Sequence, residues 1–153
     1  MKRILLVIIL LGSFAINAQE LLNWQTDLNK AVSIAQKQNK SLLFFFTGSD
    51  WCGWCTRLQK EVFNTSEFKK WSDENVILVE LDYPKRKELD PKLKAQNDHL
   101  QRIFGVQGFP TIWFVKPEIN GDKLNLKQLG NTGYIAGGPT NWLAEANKQM
   151  NKK

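Results

Sequence analysis

The chain has 153 residues, 42% of them hydrophobic, and a formal net charge of +6. That length suits one domain with one core, and cations spread along most of the sequence do not argue for nucleic acid. Two cysteines and a single histidine, His99, leave too few donors for a four-ligand zinc site.

The basic start Met1-Lys2-Arg3, the apolar run from Ile4 to Leu11 and the small-residue exit to Ala18 read as a secretory signal peptide. The apolar run falls short of the roughly 20 residues that a membrane-spanning helix needs. The expectation is cleavage after Ala18, with a domain over 19–153 that is periplasmic or secreted; an uncleaved anchor is the alternative. Losing Lys2 and Arg3 lowers the charge from +6 to +4. Asp27 to Gln38 carries apolar residues at helical spacing, with Thr26 or Asp27 as its cap. Leu42 to Phe46 reads as a strand apolar on both faces, as inside a sheet. Thr47 to Asp50 breaks it, and a helix starts within Trp51 to Cys55 and runs through Leu58 and Val62.

Ser66 is the expected cap of a short helix through Trp71, and Val76 to Leu81 is a second strand. A polar, basic stretch from Tyr83 to Lys94 leads into a helix carrying Leu100, Ile103 and Phe104. After Gly108-Phe109-Pro110 comes a strand over Thr111 to Val115. Asn120-Gly121 signals a hairpin returning through Leu124 to Leu129. Thr140 is the expected cap of a last helix with Trp142, Leu143 and Ala146. Strands alternating with helices imply parallel pairing, and the closing hairpin adds an antiparallel edge. The predicted fold class is α/β, a central mixed β-sheet flanked by helices on both faces.

Chemistry concentrates in Trp51-Cys52-Gly53-Trp54-Cys55. A bridge between the two cysteines closes a four-residue loop, worth roughly 2 kcal/mol of chain entropy against nearly 5 for a 100-residue loop. It is poorly placed as a staple and well placed as a redox switch. A thiol exchanges disulfides as its thiolate, which unpaired N–H groups and the helix dipole stabilise at a helix start. Cys52 is therefore the expected nucleophile, and Cys55, one turn on, the resolving thiol. Covalent haem attachment needs histidine after the second cysteine, where this chain has Thr56.

Strand, Trp-Cys-Gly-x-Cys opening a helix, strand, then Gly-x-Pro-Thr before a third strand resembles the thioredoxin superfamily from Leu28 onward. The run Phe46 to Cys55, with Glu61-Val62-Phe63 downstream, is similar to small periplasmic thioredoxin-like disulfide reductases and to the C-terminal domain of the bacterial membrane thiol reductant transporter. The resemblance implies a cis Phe109–Pro110 bond facing the cysteines, with the Phe109 backbone pairing an extended substrate segment. It also implies substrate contacts at Trp51, Gly53, Trp54, Phe109 and Pro110. Thioredoxins carry a buried acid in the strand before the motif; Leu43 to Phe46 holds none, and Gln59 stands one turn after Cys55 where relatives often place an acid. Water, Asp50 or the substrate is then the expected proton acceptor for Cys55.

Trp51 and Trp54 form an apolar platform for unfolded polypeptide, whereas Trp24, Trp71, Trp113 and Trp142 are expected to pack in the core or at its edge. His99 is read as a helix-surface residue. Lys85, Arg86, Lys87, Lys92 and Lys94 are read as a solvated loop, with an acidic partner as the alternative. Gly137-Gly138 lets the last loop pass the active site. The expected function is thiol–disulfide oxidoreductase, reducing disulfides of cysteine-containing exported proteins as a monomer without cofactor, metal or nucleic acid, recharged by a membrane or periplasmic electron donor. The alternatives are a disulfide isomerase or oxidase, or a non-catalytic peptide-binding, chaperone-like module.

Overall fold

The computed structural model describes residues 22–151, so the expected signal peptide lies outside the described residues. Helix α1 (Leu28–Gln38) begins where the Asp27 side chain accepts from the Lys30 N–H at 2.8 Å. It ends at Asn39, which turns left-handed at φ 50° and frees the chain to enter β1 (Ser41–Thr47). Every residue of β1 from Leu42 to Thr47 is buried, as befits a strand covered on both faces.

Next come α2 (Gly53–Leu58), a π-helical turn (Gln59–Phe63), α3 (Ser66–Asn75), β2 (Val76–Asp82) and α4 (Pro91–Ile103). The chain closes with β3 (Thr111–Asn120), β4 (Lys123–Thr132) and α5 (Gly138–Met150). The sheet order is β2-β1-β3-β4. β1 pairs in parallel with β2, from Ser41 against Val76 to Thr47 against Asp82. β3 is antiparallel to β1, against the expectation of parallel pairing, because the segment after α4 returns the chain to the sheet end where β2 finished.

The period-2 alternation of β1 divides the core in two. Leu43 and Phe45 face a cluster with Cys55, Leu58, Phe63, Phe68 and Trp142. Leu42, Phe44 and Phe46 face Ala31, Val32, Leu100 and Phe104. Each such buried aliphatic or phenyl side chain contributes roughly 1.5–3 kcal/mol of transfer free energy. Trp71 and Trp142 are buried, while Trp24 and Trp113 are half-buried against the two clusters. His99 is exposed on α4.

Several element ends differ from expectation. Thr65, not Ser66, caps α3 through the Phe68 N–H, and the helix runs on to Asn75. α4 starts at Pro91, within the stretch read as loop, because Asp90 accepts from the Lys92 and Leu93 N–H groups and proline suits the first helical position. Thr140 lies inside α5, whose cap is Gly137 at φ 103°. No described helix is long and apolar enough to cross a membrane.

Candidate active site

The polypeptide leaves β1 at Thr47 and enters α2 at Gly53, and the intervening turn brings Cys52 to the sheet's end. The Cys52 N–H donates to the Gly48 carbonyl at 2.8 Å. Cys52 is the N-cap of α2, in extended conformation, and its Sγ accepts from the Cys55 N–H at 3.2 Å. Cys52 and Cys55 form a disulfide with 5.3 Å between their Cα atoms. Cys52 is 6% exposed and Cys55 only 1%. Both residues are buried, Cys55 the more completely.

Trp51, which precedes the pair in the chain, is 38% exposed. Its indole N–H donates to the Tyr83 carbonyl at 2.8 Å, and its ring meets Phe109 edge-on at 5.7 Å. The Lys85 Nζ sits 4.0 Å above the ring, a cation–π contact. Phe109 in turn stacks on Tyr83 at 5.1 Å and precedes Pro110 through a cis peptide bond. Tyr83, which burial pushes to a raised pKa, donates its hydroxyl to the Asn97 carbonyl at 2.6 Å.

Trp54, 55% exposed, belongs to a second cluster. Its ring lies 5.2 Å from Tyr134, and the Arg57 guanidinium sits 5.4 Å from Trp54 and 5.1 Å from Tyr134. Glu61 ties this group together, accepting from the Tyr134 hydroxyl at 2.5 Å and from Arg57 Nε at 2.7 Å. The Tyr134 bond first, then Arg57, holds the Glu61 carboxyl below its ordinary pKa, while Tyr134 is raised by the same bond. Glu61 lies in the middle of the π-helical turn, and such turns often occur at functional sites. The Gly138 backbone passes the Glu61 carbonyl, and Gly133 runs against the Pro110 carbonyl, which a Cβ there would approach to 3.3 Å.

Cys52, Cys55, Trp51 and Phe109 thus meet around one core edge, with Trp54 in the second cluster. Gly53 lies exposed, and a Cβ there would meet nothing within 4 Å. Asp50 faces away from the thiols toward the Tyr83–Lys87 loop. Its carboxylate accepts from the backbone N–H groups of Lys85 at 2.9 Å and Arg86 at 2.7 Å, and these bonds hold its pKa down. The acid that β1 lacks has a neighbour in β2: Glu80 stands in register with Phe45, on the sheet face that carries Cys55. Burial first, and then Asp82, raises its pKa. Tyr134 and Tyr83 escaped the sequence reading, since no spacing signal joins partners 73 or 32 residues apart, and Glu80 because its place depends on strand register. Arg57 escaped it too, although its i,i+4 spacing to Glu61 is a local signal that could have found it.

A family model described as a thioredoxin-like domain matches residues 28–130. A disulfide bond reductase of Chlamydia pneumoniae, DsbH, is 29% identical over 129 residues, covering 84% of this chain and 73% of that protein. A solved DsbH oxidoreductase superposes with a TM-score of 0.77 at 26% identity, covering 94% of both chains. The oxidised C-terminal domain of DsbD from Neisseria meningitidis gives a TM-score of 0.52 at 16% identity, covering 83% of this chain and 99% of that one, a likeness of fold.

Proposed function

The chain belongs to the thioredoxin-like domain family, and from that premise we propose that it is an exported thiol–disulfide oxidoreductase that reduces disulfides in other exported proteins. The observation that carries this reading is the disulfide between Cys52, set as a helix cap, and the more deeply buried Cys55 one turn on. The likeness to a disulfide bond reductase over most of the chain supports the direction of electron flow.

In the reduced protein the Cys52 thiolate, favoured by the Cys55 N–H and the helix dipole, attacks one sulfur of a client disulfide. The client's other sulfur leaves as a thiolate and takes a proton from solvent. Cys55 gives up its proton and attacks the Cys52 sulfur of the mixed disulfide, releasing the second client thiol. Two electrons have passed to the client, and the Cys52–Cys55 disulfide is left for an electron donor to reduce. Trp51, Trp54 and Phe109 supply apolar contact to the client, with the Phe109 backbone offering strand-like pairing. The signal peptide over 1–18 directs this activity to the periplasm.

Cys52→Ser is expected to abolish reduction of a protein disulfide such as insulin's, and Cys55→Ser to accumulate mixed disulfides; a fully active Cys52→Ser variant would end the reading. The reduction potential, titrated against glutathione, separates the alternatives. A value near about −270 mV marks a reductase, and one between about −180 and −120 mV an isomerase or oxidase.

A further inference from the structure

The Tyr83–Lys87 loop is fastened to the active-site turn at three points. Asp50 binds the Lys85 and Arg86 N–H groups, the Trp51 indole binds the Tyr83 carbonyl, and the Lys85 ammonium rests on the Trp51 ring. Lys85, Arg86 and Lys87 are all exposed. Lys87 is partnered by Asp82 at 3.2 Å, but among the described residues no carboxylate lies within ion-pair distance of the Lys85 or Arg86 side chains. The loop's own acid, Glu88, lines a cleft of about 450 Å³ between this loop and α4, together with Lys94 and Asp98. On the opposite flank of the disulfide the cation, Arg57, is already neutralised by Glu61. The positive charge at the site is therefore one-sided, and it lies along the Trp51 edge.

We propose that Lys85 and Arg86 form a docking edge that selects client segments with acidic residues next to the reacting cysteine. The inference rests on the reductase reading above. A client joined to Cys52 through its own cysteine passes over Trp51 within a residue or two of that bond. Its next side chains then reach a loop whose backbone Asp50 fixes and whose Lys85 ammonium already rests on Trp51, so less freedom is lost on pairing with Lys85 than with a free surface lysine. The tether raises the local concentration of the client's carboxylates at the edge. Opposite charge also speeds the encounter that precedes it. A membrane surface fits less well, because the two cations left without a carboxylate partner are adjacent residues on one loop beside Trp51 and do not make up a broad basic face.

The test uses three disulfide-closed peptides of one sequence, with Glu, Gln or Lys on both flanks of each cysteine, reduced by the full chain. The expected order of kcat/KM is Glu above Gln above Lys. The Glu-to-Lys ratio should be about three- to tenfold at low salt, shrinking toward one at 0.5 M salt, as contacts between exposed charges do. In Lys85→Gln/Arg86→Gln the ratio should collapse to near one, while Lys85→Arg/Arg86→Lys keeps it. Equal rates for the three peptides in the unaltered chain would overturn the proposal and leave the reductase reading standing. So would a ratio that survives the double substitution or high salt. Failure to reduce any of the peptides would remove the reductase reading and this proposal with it. Equal peptide rates together with binding to phosphatidylglycerol vesicles that the Gln variant abolishes would reassign the edge to a lipid surface.

Discussion

Gly48→Ala reports on how the active-site turn is built. A Cβ at Gly48 would fall 2.4 Å from Cε2 and 2.5 Å from Nε1 of Trp51, about 1 Å inside the roughly 3.5 Å at which such atoms rest. The indole must shift by about that much, and three contacts move with it. The hydrogen bond to Tyr83 is worth about 0.5–1.5 kcal/mol, the Lys85 cation–π contact about 0.5–1 and the Phe109 edge contact about 0.5–1.5. Full loss is about 1.5–4 kcal/mol, and partial retention brings the expected cost to about 1–3. With a urea slope of about 2 kcal/mol per molar, the unfolding midpoint should fall by about 0.5–1.5 M. The same substitution in a Trp51→Ala background should cost nothing, and the cheaper unfolded-state entropy of alanine would there add about 0.4–1 kcal/mol of stability. An equal loss in both backgrounds would show that Gly48 matters for some reason other than the seat of Trp51.

Three further outcomes follow from the packing and the shifted acids. Trp142→Phe strands the Gly133 carbonyl, now bonded to the indole at 3.0 Å, and should cost about 2–4 kcal/mol in urea unfolding; an unchanged midpoint would contradict it. Glu80 has a folded pKa above its unfolded value, so its ionisation takes stability away as pH rises through the unfolded value toward the folded one. Glu80→Gln should therefore raise the melting temperature at pH 7 and do so much less at pH 4; a lower melting temperature at pH 7 would mean the carboxylate is needed. In Tyr134→Phe the Glu61 carboxyl loses the bond that chiefly depresses it. Its pKa, followed by carbon NMR of the carboxyl, should move up toward the ordinary range, and no movement would refute the Tyr134 assignment.

The parts legible in the sequence were those set by local pattern. The apolar run Leu42–Phe46, the hairpin at Asn120-Gly121 and the Asp27 cap each depend on residues a few positions apart, and the structure places them as expected. The C-x-x-C spacing likewise contains its own geometry, since one helical turn brings the two sulfurs together. What escaped depends on distant pairing. The direction of β3 is set by how the chain returns after α4, which no periodicity encodes. The cluster of Trp54, Arg57, Glu61 and Tyr134 joins α2, the π turn and the loop before α5. The sequence offers Asp50 as a proton acceptor for Cys55, yet its carboxylate binds backbone N–H groups across the turn. Glu80 is not legible beside the motif because the register that sets it next to Phe45 exists only once the strands pair.

The long β3–β4 hairpin separates chemistry from a place to hold the molecule. β3 enters the sheet at Thr111, beside the cis proline, and leaves it at Asn120, nine residues on, a run of roughly 30 Å at strand rise. The turn itself needs only Gly121 in its left-handed conformation, φ 62°, and the strand ends beside it are exposed. A fluorophore, a surface tether or an affinity handle grafted at Gly121–Asp122 would sit at the far end of the sheet from both cysteines. Single-molecule or immobilised assays of the thiol pair can be anchored there with the reacting face left open to large folded clients.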